Sequence, residues 1–575
     1  MKSADKKIIG LVIEDIFTDF SKEIINSVVH AMHDRDDLDL MIFAGRQDEL
    51  TTPRDKQHFY KTVYNYIYCI EEKCPLDGLI ITLPNMKGIK YDKYKNVPKV
   101  FIASDSETEL TVNYDDAMGI HEALHELVEV RKFDRLCMLG GREDNADAQK
   151  RKEIFSRYLS SKGIEFTEMQ YEVTDMNVKS EAAATRLLDN NPDVQAIFCV
   201  NDQVACGLYE VMQSRNLVPG KDVIIFGFDN TGLATELMPP LASIGSDAAT
   251  LGQSALDLLL QSMKGEMVKS VVVPTCLYGR ESMIYDNYNY SKAEMLNADL
   301  NFINKMFDDC FYRYRNEIID SKVIDLRKLF IEFISYMLKS AGKRHIDEKE
   351  YENICRYIDI FFDNGAMEYT DVTKFLRSID RFQGAINTNI KSRSANAYTN
   401  RMFLRMKDRA LLSLAKYRNY EKKEYGRVRA KTQEFITESM NFGTFEENPA
   451  KHVIDNFDKL GLVDAEFYMF DKRVEVSLQQ TPVFPETIRL KCKMKGGKTV
   501  IPSAEGVECK TENIYNEYDG GGKAKRIIAF PVFSGKYIYG ILICNITTEI
   551  LDKGEFVAGQ LGNALYLSDK NKADK

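Results

Sequence analysis

Two polar pairs carry the chemistry for which this chain is best equipped. Asn201-Asp202 and Asp229-Asn230 each follow directly on an apolar run, Ala196 to Val200 and Val223 to Phe228. An amide supplies both a donor and an acceptor, and an ionised carboxylate accepts from two hydroxyls. Such groups at neighbouring strand ends suit a polyhydroxylated ligand. Between the pairs, Val204, Leu208, Val211 and Met212 recur at helical spacing, and a Gly/Pro break precedes the second run. The unit is β-α-β, with its polar pairs at the carboxyl ends of strands, where open α/β sheets bind ligands.

The elements around this unit repeat it. Ile8 to Ile13, Leu40 to Ala44, Gly78 to Ile81, Val100 to Ala103 and Arg135 to Leu139 read as short buried strands. Phe20 to Met32, Asp116 to Glu129 and Gln149 to Ser161 read as helices between them. Alternating units of this kind make a parallel sheet covered on both faces, with right-handed crossovers. The loop Glu14 to Phe20 follows the first strand and is expected to face the same crevice.

Eight segments in this order resemble the sensor half of the lactose/galactose-repressor family, which is built like a periplasmic sugar-binding protein. They are CPLDGLII, VPKVFIAS, VNYDDAMGIHEALHELVE, RLCMLGG, ADAQKRKEIFSRYL, AIFCVNDQVACGLYEVMQSRNLVPGKDVIIFGFDN, PPLASIGSDAATLGQSALDLLL and VVVPTCLYGRES. The resemblance implies two Rossmann-like lobes joined by three crossovers, the first lobe spanning about residues 1–110 and 240–268. It also carries ligand contacts onto Arg151, Asn201 and Asp229. A guanidinium offers forked donors to vicinal hydroxyls or a carboxylate. Asp15 and Phe17 are added from the first loop, where Phe17 or Phe20 would stack on a sugar face. Alternatives stand beside these roles: an N-cap for Asn201, solvated helix surface for Arg151 within Lys150-Arg151-Lys152, and core packing for Phe17 and Phe20. The chain departs from the family at Ala103-Ser104, where many relatives carry an acid that Asp105 would replace, and at Ser246. Relatives also carry a helix-turn-helix before the first strand, whereas a strand is expected here from Lys7. A DNA-binding reading therefore needs another element downstream.

The remainder changes character. Residues 287–397 read as a helical domain, with Phe302, Ile303, Met306, Phe307, Phe311 and Tyr312 at helical spacing. Residues 398–443 read as one long helix with a stripe of Phe403, Met406, Ala410, Leu414 and Tyr417, which suits a helix pair. That helix is rich in Arg and Lys, among them Arg405, Arg409, Lys416, Arg418, Lys422, Lys423, Arg429 and Lys431. It would meet phosphates or pair with the acidic surfaces of its own chain. Residues 444–575 end in the hairpin IIAFPVFSGKYIYGILICNI and a terminal helix, and resemble a GAF-type sensory domain. Removing them is expected to leave ligand binding at the first domain, 1–286, nearly unchanged.

The expected fold class is therefore an α/β two-lobed periplasmic-binding-protein-like domain, an all-α segment, then an α+β GAF-like domain. This resembles the input half of bacterial multidomain signalling proteins. The 575 residues fit roughly three or four domains of about 100–200 residues each. A net charge of −10 gives no general nucleic-acid footprint. The first apolar run is too short for a signal peptide or a membrane span. Eleven cysteines without a CxxC pair fit free thiols in a reducing cytoplasm. No HExxH, GxSxG, kinase or GGDEF motif occurs, and Gly520-Gly521-Gly522-Lys523 lacks the spacing of a phosphate loop. The expectation is a cytoplasmic, non-enzymatic receptor for a sugar or sugar-like metabolite, without cofactor, metal or membrane partner, working as a homodimer. Two alternatives remain: a transcriptional regulator touching DNA through another element or a partner, and the input part of a diguanylate cyclase lacking its catalytic domain.

Overall fold

The computed structural model describes residues 6–16, 18–46, 63–68, 74–82, 96–104, 106, 108–246, 248–283, 290–311, 314, 325–390, 392–439, 448–477, 484–518 and 524–573. Phe17, Asp105, Tyr312 and the glycine run at 520–522 lie outside the described residues.

The first lobe is a parallel sheet of β1 (Lys7–Ile13), β2 (Leu38–Ala44), β3 (Gly78–Ile81), β4 (Lys99–Ile102) and β5 (Leu110–Asp115), ordered β5-β4-β3-β1-β2. The second lobe holds β6 (Leu136–Gly140), β7 (Tyr171–Val173), β8 (Ala196–Cys199), β9 (Ile224–Phe228) and β10 (Ala242–Gly245). The chain then returns to the first lobe as β11 (Val271–Pro274) beside β5, and to the second as β12 (Cys276–Tyr278), antiparallel to β10. The three crossovers thus fall after Asp115, Gly245 and Pro274. This moves the expected lobe boundary: β10 belongs to the second lobe and β11 to the first. The helix Ala248–Met263 packs on the first lobe's sheet and its helix Asp19–Ala31. In the second lobe β6, β8, β9 and β10 are buried along their whole length.

Residues 292–439 contribute six helices among the described residues: Lys292–Asn297, Leu300–Cys310, Leu326–Ala341, Glu348–Asp363, Val372–Asn389 and Arg393–Ser439. Their core is aromatic, with Phe302, Phe307, Phe311, Phe330, Phe361 and Phe382 buried together. The long helix joins that core through Phe403, Met406 and Ala410, while Leu414 and Tyr417 are only half-buried. Its cations at 405–416 pair with their own domain: Arg405 with Asp359, Lys407 with Asp380, and Arg409 and Lys416 with Asp363. From Arg418 to Ala430 no described residue is buried.

Strands β13 (Ala465–Glu475), β14 (Thr487–Lys495), β15 (Lys498–Val500), β16 (Val507–Lys510), β17 (Arg526–Ser534) and β18 (Tyr537–Asn545) form an antiparallel array, backed by the helix Thr548–Ala573. This array is not a detached unit. β17 pairs in parallel with β2, Arg526 opposite Leu40 through Ala529 opposite Phe43, so that one sheet of twelve strands runs from β11 to β15. The two faces stay in register across the junction. Leu40, Ile42, Ile528 and Phe530 enter one apolar core, and Met41, Phe43, Ile527 and Ala529 the other. Tyr66 stacks on Phe484 with ring centroids 5.3 Å apart, and Tyr64 meets Phe533 edge-on at 6.1 Å. The Arg526 guanidinium donates to Leu38 O (2.6 Å) and to Met32 O (2.7 Å) at the end of the helix Asp19–Ala31. Residues 444–575 thus cover the β2 edge and pack on one face of its sheet.

Candidate functional site

The carboxyl ends of β6, β8 and β9 gather the polar groups of the second lobe. Arg151 sits in the first half of the helix Ala146–Ser161, which Asn145 caps by accepting from Ala148 N–H. Its guanidinium is buried at 6% side-chain exposure and has three directed contacts. Nε donates to Asp116 Oδ1 (3.2 Å), Nη1 to Val200 O (2.8 Å) and Nη2 to Asp229 Oδ1 (3.4 Å). Its central carbon lies 3.6 Å from the centroid of the Phe228 ring, a cation–π contact. The Val200 contact ties the cation to the strand end that presents Asn201. Arg151, Asp229 and the residue before Asn201 are therefore brought together, and solvated helix surface does not describe Arg151. It does describe Lys150 in part: half-exposed, it reaches Asp116 Oδ2 at 2.8 Å. Lys152 turns the other way, 3.6 Å over the Tyr171 ring.

Asp229 lies in left-handed backbone at φ 94°, as does Asn230 at φ 52°. For a residue with a Cβ this conformation is uncommon and clusters at functional sites. Here the Asp229 N–H donates to Ile244 O (2.7 Å), which fixes the turn leaving β9. Burial pushes the Asp229 carboxyl above its ordinary range; Arg151 opposes that rise and Asp116 adds to it. Beneath it, Asp202 is fully buried and pushed up to about 7, by desolvation first and by repulsion from Asp229 second. Asp202 accepts from Thr231 N–H (2.8 Å) and Ser243 Oγ (2.5 Å), so it braces the Asp229-Asn230 turn. Asn201 caps the helix Asp202–Ser214, accepting from Val204 N–H (3.0 Å), and its amide donates to Met176 O (2.9 Å). The cap reading of Asn201 thus describes the contacts it makes within the chain.

On the first lobe, Asp15 follows β1, with Arg46 Nη1 3.5 Å from its Oδ1. Ser104 follows β4 and is buried; its N–H donates to Asn113 Oδ1 (2.9 Å), which ties β4 to β5. Phe20 packs against the core of the lobe.

Sequence reasoning missed Asp116. It read this residue as the start of a helix, and in the structure the carboxylate is 3% exposed between Lys150 and Arg151. Its signal is the Asp115-Asp116 pair at the first crossover: Asp115 caps the helix, accepting from Met118 N–H, which leaves the second acid to turn inward. Arg280 was missed as well. It is 1% exposed and donates to Asn230 Oδ1 (2.6 Å), the neighbour of Asp229.

Residues 125–283 match the family model of the periplasmic binding protein-like domain. Among curated proteins, the HTH-type transcriptional regulator CelR of Thermobifida fusca is 28% identical over 174 residues, which is 30% of this chain and 51% of that protein. The HTH-type transcriptional repressor CytR of Escherichia coli is 25% identical over 277 residues, 47% of this chain and 76% of that protein. This chain thus spans about half the length of CelR. A solved CelR–cellobiose complex aligns at TM-score 0.41 and 21% identity over 48% of this chain and 86% of that one. A lac repressor dimer bound to operator and an anti-inducer aligns at TM-score 0.42 and 19% identity, over 49% and 96%. Residues 125–283 thus carry a periplasmic binding protein-like domain, and the chain is similar over part of its length to HTH-type transcriptional regulators.

Proposed function

We propose that this chain is a cytoplasmic, non-enzymatic regulatory protein that binds a sugar or sugar-like metabolite between the two lobes of residues 1–286. In this reading Asp229 and Asn201 contact the ligand with Asp15 opposite, and Phe17 is a further contact on the first loop. Arg151 orients Asp229. One observation carries it: Asp229, in strained left-handed backbone at a strand's carboxyl end, is braced from below by Asp202 and from the side by Arg151. Such bracing costs stability and suits a group that must meet a ligand in one orientation.

Closure of the lobes would be relayed to the C-terminal part, residues 444–575, which we read as a GAF-like domain, within a homodimer. Two attachments support this. The first lobe shares its sheet with the C-terminal array. The second lobe is joined to the helical domain by the Arg280–Asp371 ion pair at 2.6 Å and by Thr373 Oγ1 donating to Glu281 (3.2 Å). Each lobe therefore moves with a different downstream body, and the long helix connects those bodies.

The test is thermal unfolding of the full chain against sugars, sugar phosphates, polyols and nucleosides at millimolar concentration. A compound at about a hundred times its dissociation constant adds about 2.7 kcal/mol. A shift abolished by Asp229→Asn supports the receptor; no shift with any compound removes it.

A second reading, a regulator that touches DNA through the long helix, is favoured by one feature. Arg418, Lys422, Lys423, Arg429 and Lys431 are all exposed or half-exposed on a stretch with no buried described residue. Its signature is affinity for duplex DNA that falls linearly with log salt and weakens when these cations are replaced.

A further inference from the structure

The helical domain grips the second lobe just past β12. In the first turn of the helix Val372–Asn389, Lys374 is buried with its Nζ 3.3 Å from Asp309 Oδ1 and 5.1 Å from the centroid of the Tyr278 ring. Two residues beyond Tyr278, the buried guanidinium of Arg280 faces Asp371, the residue that caps this helix, with Nε 2.6 Å from Oδ2. Asp371 Oδ1 accepts from Thr373 N–H (2.8 Å) and Lys374 N–H (3.2 Å), so the carboxylate is fixed to the helix on one side and to the cation on the other. Arg280 reaches back into the second lobe with its other two nitrogens. Nη1 donates to Leu241 O (2.8 Å) and Nη2 to Asn230 Oδ1 (2.6 Å). Asn230 is the second of two consecutive residues in left-handed backbone, a conformation that persists where the surroundings over-determine it. Three successive N–H groups of this turn go to three different acceptors: Asp229 donates to Ile244 O (2.7 Å), Asn230 to Ser243 Oγ (3.0 Å) and Thr231 to Asp202 Oδ2 (2.8 Å).

An arginine keeps its charge when buried, so its guanidinium stays with the carboxylate that neutralises it. We infer that Asp371 is a positioning residue of the ligand cleft: from the helical domain it sets the place of Arg280, and through Arg280 the geometry of the Asp229-Asn230 turn. The inference rests on the proposed ligand role of Asp229. With Asp371 ionised, Arg280 is held where its Nη2 meets the Asn230 side chain. With Asp371 neutral, the guanidinium is drawn instead toward Asp202, a buried carboxyl on which its charge already acts. That shift withdraws a donor from Asn230 and disturbs the acceptor of the Thr231 N–H. The helical domain thereby sets how a site in the first domain presents its ligand-binding acid. By linkage, a ligand that needs this turn strengthens the hold of Arg280 on Asp371 by the same factor.

The experiment compares the full chain with Asp371→Asn, which keeps the shape and removes the charge. Asp371→Glu is the milder variant, retaining the charge on a longer stem. Asp359→Asn is the control: it breaks pairs with Arg405 and Arg409 inside the helical domain and leaves Arg280 and Asp371 in place. Amide hydrogen exchange at Asp229, Asn230 and Thr231 is read without any ligand. The expected result is exchange faster by about fivefold or more in Asp371→Asn, the scale of coupling between sites, a smaller rise in Asp371→Glu, and no change in Asp359→Asn. If Asp371→Asn fails to fold, Asp371→Glu carries the test on the same amides. In an Arg280→Met background, Asp371→Asn should change exchange at the turn no further, whereas an unlinked structural loss would add to it. Unchanged exchange in both Asp371 variants, an equal change in the control, or full additivity overturns the inference. For each sugar or nucleoside of the panel that stabilises the parent, Asp371→Asn should weaken binding by about fivefold or more, and the compound should slow exchange at Thr373 and Lys374. Undiminished binding overturns the positioning role. If no panel compound stabilises the parent, the receptor reading fails, and exchange still decides whether Asp371 holds the turn.

Discussion

Arg280 and Asp371 form an ion pair 2.6 Å long in which the side chains are 1% and 2% exposed. Arg280 reaches from this pair to Leu241 O (2.8 Å) and to the Asn230 amide oxygen (2.6 Å), while Asp371 caps the helix Val372–Asn389. One guanidinium thus connects the residue next to Asp229 with the first turn of a helix in another domain. Breaking such a pair from one side leaves a buried, uncompensated charge. Asp371→Asn, which keeps the cap, is expected to cost about 3–5 kcal/mol. The double replacement Arg280→Met with Asp371→Asn should cost less than the single one. Urea unfolding of the three variants measures both.

Arg151 is likewise a buried cation held between carboxylates. Arg151→Met leaves Asp116 and Asp229 buried without their shared cation, and is expected to lower stability by about 3–5 kcal/mol. Adding Asp229→Asn should recover part of the loss, because Asp116 keeps Lys150 at 2.8 Å. Non-additivity in this cycle is the measurement.

Asp202 gives a pH signature. Its folded value of about 7 lies above that of a free carboxyl, so the folded state binds a proton more tightly than the unfolded chain does. The stability this contributes is full below the free carboxyl's range, and is lost as pH rises through about 7. Asp202→Asn should therefore gain on the parent as pH rises from mildly acidic to mildly alkaline. Denaturation midpoints of both proteins across that range check the sign.

The shared sheet predicts what truncation does. A chain ending near residue 440 exposes the β2 edge and uncovers Met41, Phe43 and Tyr64. An unprotected apolar edge recruits other chains. The truncated protein is expected to elute as aggregates, whereas the full chain does not; light scattering on both decides it.

The first half of the fold was legible because its strands are short apolar runs ended by turn residues. Each expected strand lies within two residues of an observed one, as at Gly78–Ile81 and Ile224–Phe228, whereas β5, β7, β10, β11 and β12 were not foreseen. Asn201, Arg151 and Asp229 were legible because they follow such strands or sit near the start of the next helix. Asp116 was not, since an acid in the first turn of a helix has an ordinary local explanation. The pairing of β2 with β17 was illegible for a different reason. Leu40–Ala44 is apolar on both faces whether its neighbour lies 30 residues away or nearly 500, and sequence records burial but not the partner. The helix boundary at Arg393 rather than Tyr398 follows from Ser392, whose hydroxyl accepts from Ala395 N–H (3.3 Å).

The stretch from Arg418 to Ala430, in which no described residue is buried, has a consequence for how strongly a ligand could be held. The first lobe shares a sheet with the C-terminal array, the second lobe is ion-paired to the helical bundle, and this stretch belongs to the one helix that leads from the bundle toward the array. If the lobes close, the strain is taken up here as bend or twist, near Gly426. Under the proposed function that elastic work would be subtracted from whatever the cleft gains, and the stiffness of one solvated helix would act as a set-point for affinity at a site it never touches. Gly426→Ala adds about 1 kcal/mol of helix propensity and stiffens the spring.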